Sequence, residues 1–188
     1  VVGIAGSLAW SARRRYCYGL ELAAAARHVR RPGVRFLVVG DGPGRPHLDR
    51  LAAAAPPGRV LFAGRRPQAE LPDWYAAMDL ASLPQSTDAV GAVRYTTKLS
   101  EYLAAGLGVT VGPVPMAYDL DAGWAWRVPG GEPWEPGYHR ALAALIDALT
   151  PAEIAAKAAA ARAAAGLFDR DRQVDRVTAF LSDLLADR

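Results

Sequence analysis

Short, mainly apolar runs, most of them stopping at a glycine and followed by apolar residues at helical spacing, restrict this chain to few architectures. Val1-Val2-Gly3-Ile4-Ala5-Gly6 precedes a helical pattern from Tyr18 to Arg30. Val34 to Val39 closes on Gly40, and after a Gly/Pro-rich turn Arg45 to Ala55 reads as a helix. Val60 to Ala63 stops at Gly64 ahead of a helix from about Glu70 to Met78, with Pro72 in its first turn. Asp79 to Leu83 predicts a fourth strand, Thr97 to Ala105 a helix ended by Gly106, and Val109 to Val111 a fifth strand. A short sixth strand fits Trp126 to Val128. Strands that are apolar throughout, instead of alternating, belong in a parallel sheet covered on both faces. The expected fold class is therefore α/β, a doubly wound parallel sheet of about six strands with helices on both faces.

The pattern loosens after Gly112. Gly123 to Pro136 holds three of the five tryptophans, Trp124, Trp126 and Trp134, which either pack the edge of the domain or line a sugar site. His139 to Leu149 and Pro151 to Ala165 read as helices, with Thr150 as N-cap and Pro151 at the first helical position of the second. A last helix is expected from about Arg172 to Ala186. No linker divides the chain and no repeat appears, so one domain is expected over 1–188, with C-terminal helices from about 139 to 188.

Composition removes several function classes. With 52% apolar and 22% charged residues the chain is not disordered, and 22 basic against 19 acidic residues is too slight an excess to argue for nucleic acid. The single cysteine, Cys17, forms no intrachain disulfide, which makes a cytoplasmic setting the expectation. No apolar run reaches the ~18 residues of a membrane span, and no signal peptide opens the sequence, though an excised fragment would lack one too. The arginines at 13–15 suggest a peripheral contact with an anionic membrane face. The three histidines are scattered, His28 and His139 being expected at the surface and His47 left open. No metal-ligand spacing appears, so no metal is expected.

In open α/β sheets ligands bind beyond the carboxyl ends of the strands. Four loops there carry suggestive chemistry: Gly6-Ser7, Gly40-Asp41-Gly42-Pro43-Gly44, Arg65-Arg66, and Lys98 to Ser100 at the start of a helix. Small residues let amides approach a phosphate, the helix dipole favours anions, and a cation adds Coulomb attraction. Gly40 to Gly44 also suits a plain tight turn, and Arg65 and Arg66 also suit solvent. Glu101 could accept hydrogen bonds from vicinal ribose hydroxyls or bond back to its helix N-terminus, with Thr97 or Lys98 as cap partner. Dinucleotide binding is excluded: Arg45 stands where G-x-G-x-x-G needs its third glycine, and Gly64-Arg65 where the ribose acid belongs. No glycine precedes a Lys-Ser or Lys-Thr pair, so there is no P-loop.

Five motifs in order, Gly3-Ile4-Ala5-Gly6-Ser7-Leu8, Val38-Val39-Gly40-Asp41-Gly42-Pro43, Val60-Leu61-Phe62-Ala63-Gly64, Glu70-Leu71-Pro72 with Tyr75-Ala76-Ala77-Met78-Asp79, and Lys98 to Gly106, resemble the C-terminal domain of glycosyltransferase family 4. The resemblance covers nearly the whole chain and is weakest after Gly112. It implies one Rossmann-like half of a GT-B fold that binds a nucleotide diphosphate sugar, UDP or GDP being the expected nucleotide, with no further cofactor. It also implies an N-terminal Rossmann-like acceptor domain as partner and retention of anomeric configuration. By matching position it assigns Glu101 to the ribose, Gly6 and Ser7 to the diphosphate region and Arg65 to the side of the base, and gives the amides of Leu99 and Ser100 to a phosphate. Gly40, Gly42 and Lys98 complete the expected binding set.

Two departures bear on catalysis. The family often has a second glutamate eight positions earlier, where this chain has Val93, and a lysine ahead of the first helical glycine, where it has Tyr18-Gly19. Arg14, or its neighbours Arg13 and Arg15, is the candidate substitute for that lysine, and Asp88 or Arg94 for a sugar contact. The chemistry implied is departure of a nucleoside diphosphate from an oxocarbenium-like sugar, assisted by cations and helix N-termini aimed at the leaving phosphate. A non-catalytic nucleotide-sugar-binding or partner-binding domain, and half of a nucleotide-sugar epimerase, remain the alternatives.

Overall fold

In the computed structural model, which describes residues 1–186, six strands form one all-parallel sheet in the order β3-β2-β1-β4-β5-β6. The strands are β1 (Val2–Ala5), β2 (Phe36–Val39), β3 (Val60–Gly64), β4 (Leu80–Leu83), β5 (Gly108–Val111) and β6 (Ala125–Arg127). Every residue of β1, β2, β4 and β5 is buried, whereas β3, at one edge, is only partly covered. That is why the central runs show no polar alternation. Strand order reverses between β1 and β4, the switch point of a doubly wound Rossmann-like sheet.

The helices are α1 (Leu20–Ala25), α2 (Arg45–Ala52), α3 (Leu71–Ala76), α4 (Ala89–Val93), α5 (Thr97–Ala104), α6 (Met116–Asp119), α7 (Pro136–Ala148), α8 (Pro151–Ala164) and α9 (Arg170–Ala186). Residues of α1, α2 and α7 (Leu22, Leu48, Leu142) close one core with Ile4, Phe36 and Val38 of the sheet. Residues of α3, α5 and α8 (Tyr75, Leu99, Leu103, Ala161) close the other with Ala81 and Val109. Full burial of each large aliphatic or aromatic side chain stabilises the fold by about 1.5–3 kcal/mol.

Several boundaries differ from expectation. The helix expected from Tyr18 to Arg30 is confined to Leu20–Ala25, because Gly19 at φ 85° sets a left-handed entry and the chain after Ala25 continues as turns. The second helix stops at Ala52, and the third divides into a 3-10 turn (Gln68–Glu70) followed by α3. The sixth strand lies one residue earlier than expected, α7 begins at Pro136 and α9 at Arg170. Two helices have no sequence counterpart, α4 and α6, at five and four residues too short to show a period. Thr150 caps α8 as expected, within a capping box: its Oγ1 accepts from Glu153 N at 3.2 Å, and the Glu153 carboxylate accepts from Thr150 N at 2.8 Å. Residues 187 and 188, the end of the expected single domain, lie outside the described residues.

His139 is not at the surface. It is 6% exposed, with Nε2 3.0 Å from the Pro133 carbonyl, and burial pushes its pKa down. Trp124 is fully buried with its N–H donating to Leu120 O at 3.0 Å, and Trp126 is buried against β5 beside Lys157. Both pack the domain edge. Trp134 instead stands beside Tyr16 and under the Arg14 guanidinium.

Candidate nucleotide-binding cleft

A cleft of about 470 Å3 opens above the carboxyl ends of β1, β2 and β3, lined by Ala5, Gly6, Ser7, Val39, Gly40, Asp41, Arg65, Arg66, Leu71, Tyr75, Lys98 and Glu101. It lies beside the switch point, where an open α/β sheet leaves loops and helix ends free to meet a ligand. Six of the ten residues expected at a site line it: Gly6, Ser7, Gly40, Arg65, Lys98 and Glu101.

The glycines after β1 and β2 are fixed by each other. A Cβ on Gly40, at φ 141°, would stand 1.9 Å from the Gly6 carbonyl oxygen, and one on Gly42, at φ 153°, 2.8 Å from the Leu8 carbonyl carbon. The first two loops therefore press backbone against backbone, tied by Gly6 N to Val39 O at 2.9 Å and Leu8 N to Asp41 O at 3.1 Å. Gly42 serves this contact and lies outside the cleft lining, so the tight-turn reading accounts for it. Among the described residues the Ser7 amide donates to no protein acceptor, which leaves it available at the cleft wall.

Lys98 enters from the first turn of α5 and reaches back over Gly6, where an added Cβ would meet its Cε at 2.8 Å. Its ammonium sits 4.4 Å from the centre of the Tyr18 ring. Desolvation by burial lowers its pKa, Glu101 opposes that shift and Arg94 adds to it. An incoming anion would restore the charged form that burial disfavours. Tyr18, where a lysine was expected, thus forms the platform on which Lys98 rests.

Glu101 does not fold back onto its own helix. Thr96 is the N-cap of α5, its Oγ1 accepting from Lys98 N at 3.4 Å, and its carbonyl accepts from Leu99 N at 3.1 Å. The Glu101 carboxylate instead accepts from the Tyr75 hydroxyl at 2.6 Å. Leu99 is fully buried with its amide spent in the first turn, and the Ser100 hydroxyl donates to Thr97 O at 2.7 Å; neither lines the cleft.

The remaining candidates stand apart. Arg14 pairs with Asp88 and lies 5.3 Å from the centre of the Trp134 ring, outside the cleft lining. Asp88 is committed elsewhere as well: it caps α4 through Gly91 N at 2.9 Å and accepts from Ser86 Oγ at 2.8 Å. Those hydrogen bonds from Gly91 and Ser86, then the Arg14 charge, hold its pKa down. Val93 ends α4 at 86% exposure. Arg66 donates to Ala63 O at 3.0 Å and lies over Trp74, while Arg65 is exposed at the rim. Tyr75, Asp41 and Leu71 line the cleft without belonging to the expected binding set; all three stand inside motifs quoted above, the signal that could have found them. Among the described residues no group of three or more His, Cys, Asp or Glu is placed to hold a metal, and no helix is long and apolar enough to cross a membrane.

The family described as "Glycosyl transferases group 1" matches residues 1–157. A 2-deoxystreptamine glucosyltransferase of Streptomyces kanamyceticus is 33% identical over 122 residues, 61% of this chain and 30% of that protein. A 2-deoxystreptamine N-acetyl-D-glucosaminyltransferase of Streptomyces fradiae is 34% identical over 89 residues, 44% of this chain and 21% of that protein. Among solved structures, Anabaena HepE in complex with UDP and glucose matches 97% of this chain and 48% of its own, with TM-score 0.69 and 21% identity. The pneumococcal O-GlcNAc transferase GtfA in complex with UDP and GlcNAc matches 98% of this chain and 35% of its own, with TM-score 0.71 and 18% identity. The chain thus spans less than a third of the curated relatives and at most about half of these structures. With five ordered motifs, a Rossmann-like sheet and a family match over most of its length, the chain belongs to the group 1 glycosyltransferases.

Proposed function

We propose that this chain is the donor-binding domain of a retaining glycosyltransferase that moves a sugar from a nucleotide diphosphate sugar, completed by an N-terminal Rossmann-like acceptor domain. The observation that carries the reading is the convergence of Gly6, Ser7, Arg65, Lys98 and Glu101 on one cleft at the switch point of the sheet. Glu101 accepts from the ribose, the Ser7 amide and the Lys98 ammonium hold the diphosphate, and Arg65 borders the base. UDP is the first nucleotide to try, because the HepE and GtfA structures were solved with UDP. As the diphosphate leaves, Lys98 and the loop amide stabilise its growing charge without solvent reorganisation. The setting is cytoplasmic, with the arginines at 13–15 as the membrane-facing contact; Arg13 and Arg15 are exposed, while Arg14 is engaged with Asp88.

Calorimetric titration with UDP and GDP tests this. Binding by the wild type is expected, weakened about 10- to 100-fold by Lys98→Ala and by Glu101→Ala, the range for losing one charge-assisted hydrogen bond. Absence of binding by every nucleotide would sink the donor-domain reading. Unchanged affinity in Glu101→Ala would remove the ribose role alone.

One observation favours a second reading, a nucleotide-sugar-binding domain without transfer chemistry. Val93 is exposed where a glutamate is common, and Asp88, the nearest acid in that loop, is held by Gly91, Ser86 and Arg14. Binding of UDP-sugar without turnover by the chain joined to its acceptor half would decide for it.

A further inference from the structure

Tyr75 is 5% exposed on α3, and its hydroxyl donates to Glu101 Oε2 at 2.6 Å. Its ring meets the Tyr102 ring edge-on, with centroids 5.5 Å apart at 88°, and the Tyr102 hydroxyl accepts from Ala5 N at 3.3 Å. The phenol is therefore held from α5 and, through Tyr102, from the end of β1. Burial, then the Glu101 carboxylate, pushes its pKa well above the ordinary tyrosine range, so it stays a donor at working pH.

A second, mainly apolar groove of about 480 Å3 lies on the other side of this pair, lined by Gln68, Pro72, Ala76, Ala104 and Ala105 and sharing Leu71, Tyr75 and Glu101 with the nucleotide cleft. The Tyr75–Glu101 hydrogen bond is thus part of the wall between two openings. A glutamate has three side-chain torsions and loses much rotamer freedom when fixed. Without the phenol, nothing else among the described hydrogen bonds holds Glu101 toward the cleft and away from the groove.

We infer that Tyr75 is a positioning residue that occupies one oxygen of the Glu101 carboxylate and presents the other to the ribose hydroxyls, so that ribose recognition depends on a residue that need not touch the nucleotide. This rests on the ribose role of Glu101 proposed above. Tyr75 supplies orientation: a carboxylate already aimed loses less freedom on binding, and the gain appears only with a ligand that carries the hydroxyls.

The test compares UDP with 2′,3′-dideoxyuridine diphosphate on the wild type, Tyr75→Phe, Glu101→Ala and the double variant, by calorimetry, with thermal melting to show that each is folded. Wild type should prefer UDP. Tyr75→Phe should weaken UDP about tenfold and leave the dideoxy nucleotide unchanged, and in Glu101→Ala, which has no acceptor for the phenol, it should have no further effect. If Tyr75→Phe keeps the wild-type ratio of the two affinities, or weakens both ligands equally, the inference is overturned while the ribose role of Glu101 stands. If the wild type itself does not distinguish the two nucleotides, that role fails and the inference falls with it.

Discussion

Glu21 lies on the second residue of α1 with 0% exposure, its carboxyl accepting from the hydroxyls of Tyr16 and Ser82, each at 3.0 Å. Burial pushes its pKa up from 4.5 to about 7, against the partial opposition of those hydrogen bonds. The folded state therefore keeps this proton to higher pH than the unfolded state, so stability falls as pH rises from about 4.5 to about 7 and levels off above that. Chemical denaturation of wild type and Glu21→Gln across pH 4 to 8 should show this slope in the difference between them; a flat difference would contradict it. Nothing in the sequence marked Glu21, since an acid in the first turn of a helix ordinarily faces water and complements the dipole. Glu101 was legible from its motif because a helix following a strand brings its first turns to the ligand end of the sheet. Its hydrogen bond with Tyr75 was not, although Tyr75 stands in a motif of its own, because the pairing of α3 with α5 spans 26 residues and leaves no local period.

At the scale of elements, apolar runs, most with a glycine stop, revealed the strands, because burial on both faces leaves few polar residues, Ser82 and Thr110 among them, to blur the signal. Helix lengths were less legible. The left-handed Gly19 trims α1, and α4 forms through a single Asp88 cap that also pins Arg14. This explains why Arg14 stands at the Trp134 side of the loop after β4 and not in the cleft. The last helix is unlike the others. Helix α9 has no buried residue, and Val174, Val177, Phe180, Leu181, Leu184 and Leu185 are 49–69% exposed. A helix that buries so little contributes little to folding. Removing residues 170–188 should leave the melting temperature within about 2 °C of the full chain by circular dichroism, a shift of at most about 1 kcal/mol. Loss of a cooperative transition would show that α9 belongs to the core.

For the whole molecule, two cores built on opposite faces of one sheet hold the loops after β1, β2 and β3 against one another, and the cleft opens between them. Order of motifs along the chain was enough to foresee this arrangement, since a doubly wound sheet admits few connections. What could not be foreseen were contacts that depend on packing: Lys98 resting on Tyr18, Gly40 pressed on Gly6, and Glu101 held by Tyr75. This chain spans 30% of the glucosyltransferase relative and 48% of the HepE chain, and the proposed reading asks of it only that the cleft bind the donor nucleotide. A crystal structure of the chain with UDP tests that claim most directly. Density is expected in the cleft, with ribose oxygens within hydrogen-bond distance of Glu101 and the diphosphate between the Ser7 amide and Lys98; an empty cleft at saturating UDP, or UDP bound elsewhere, would contradict donor binding there.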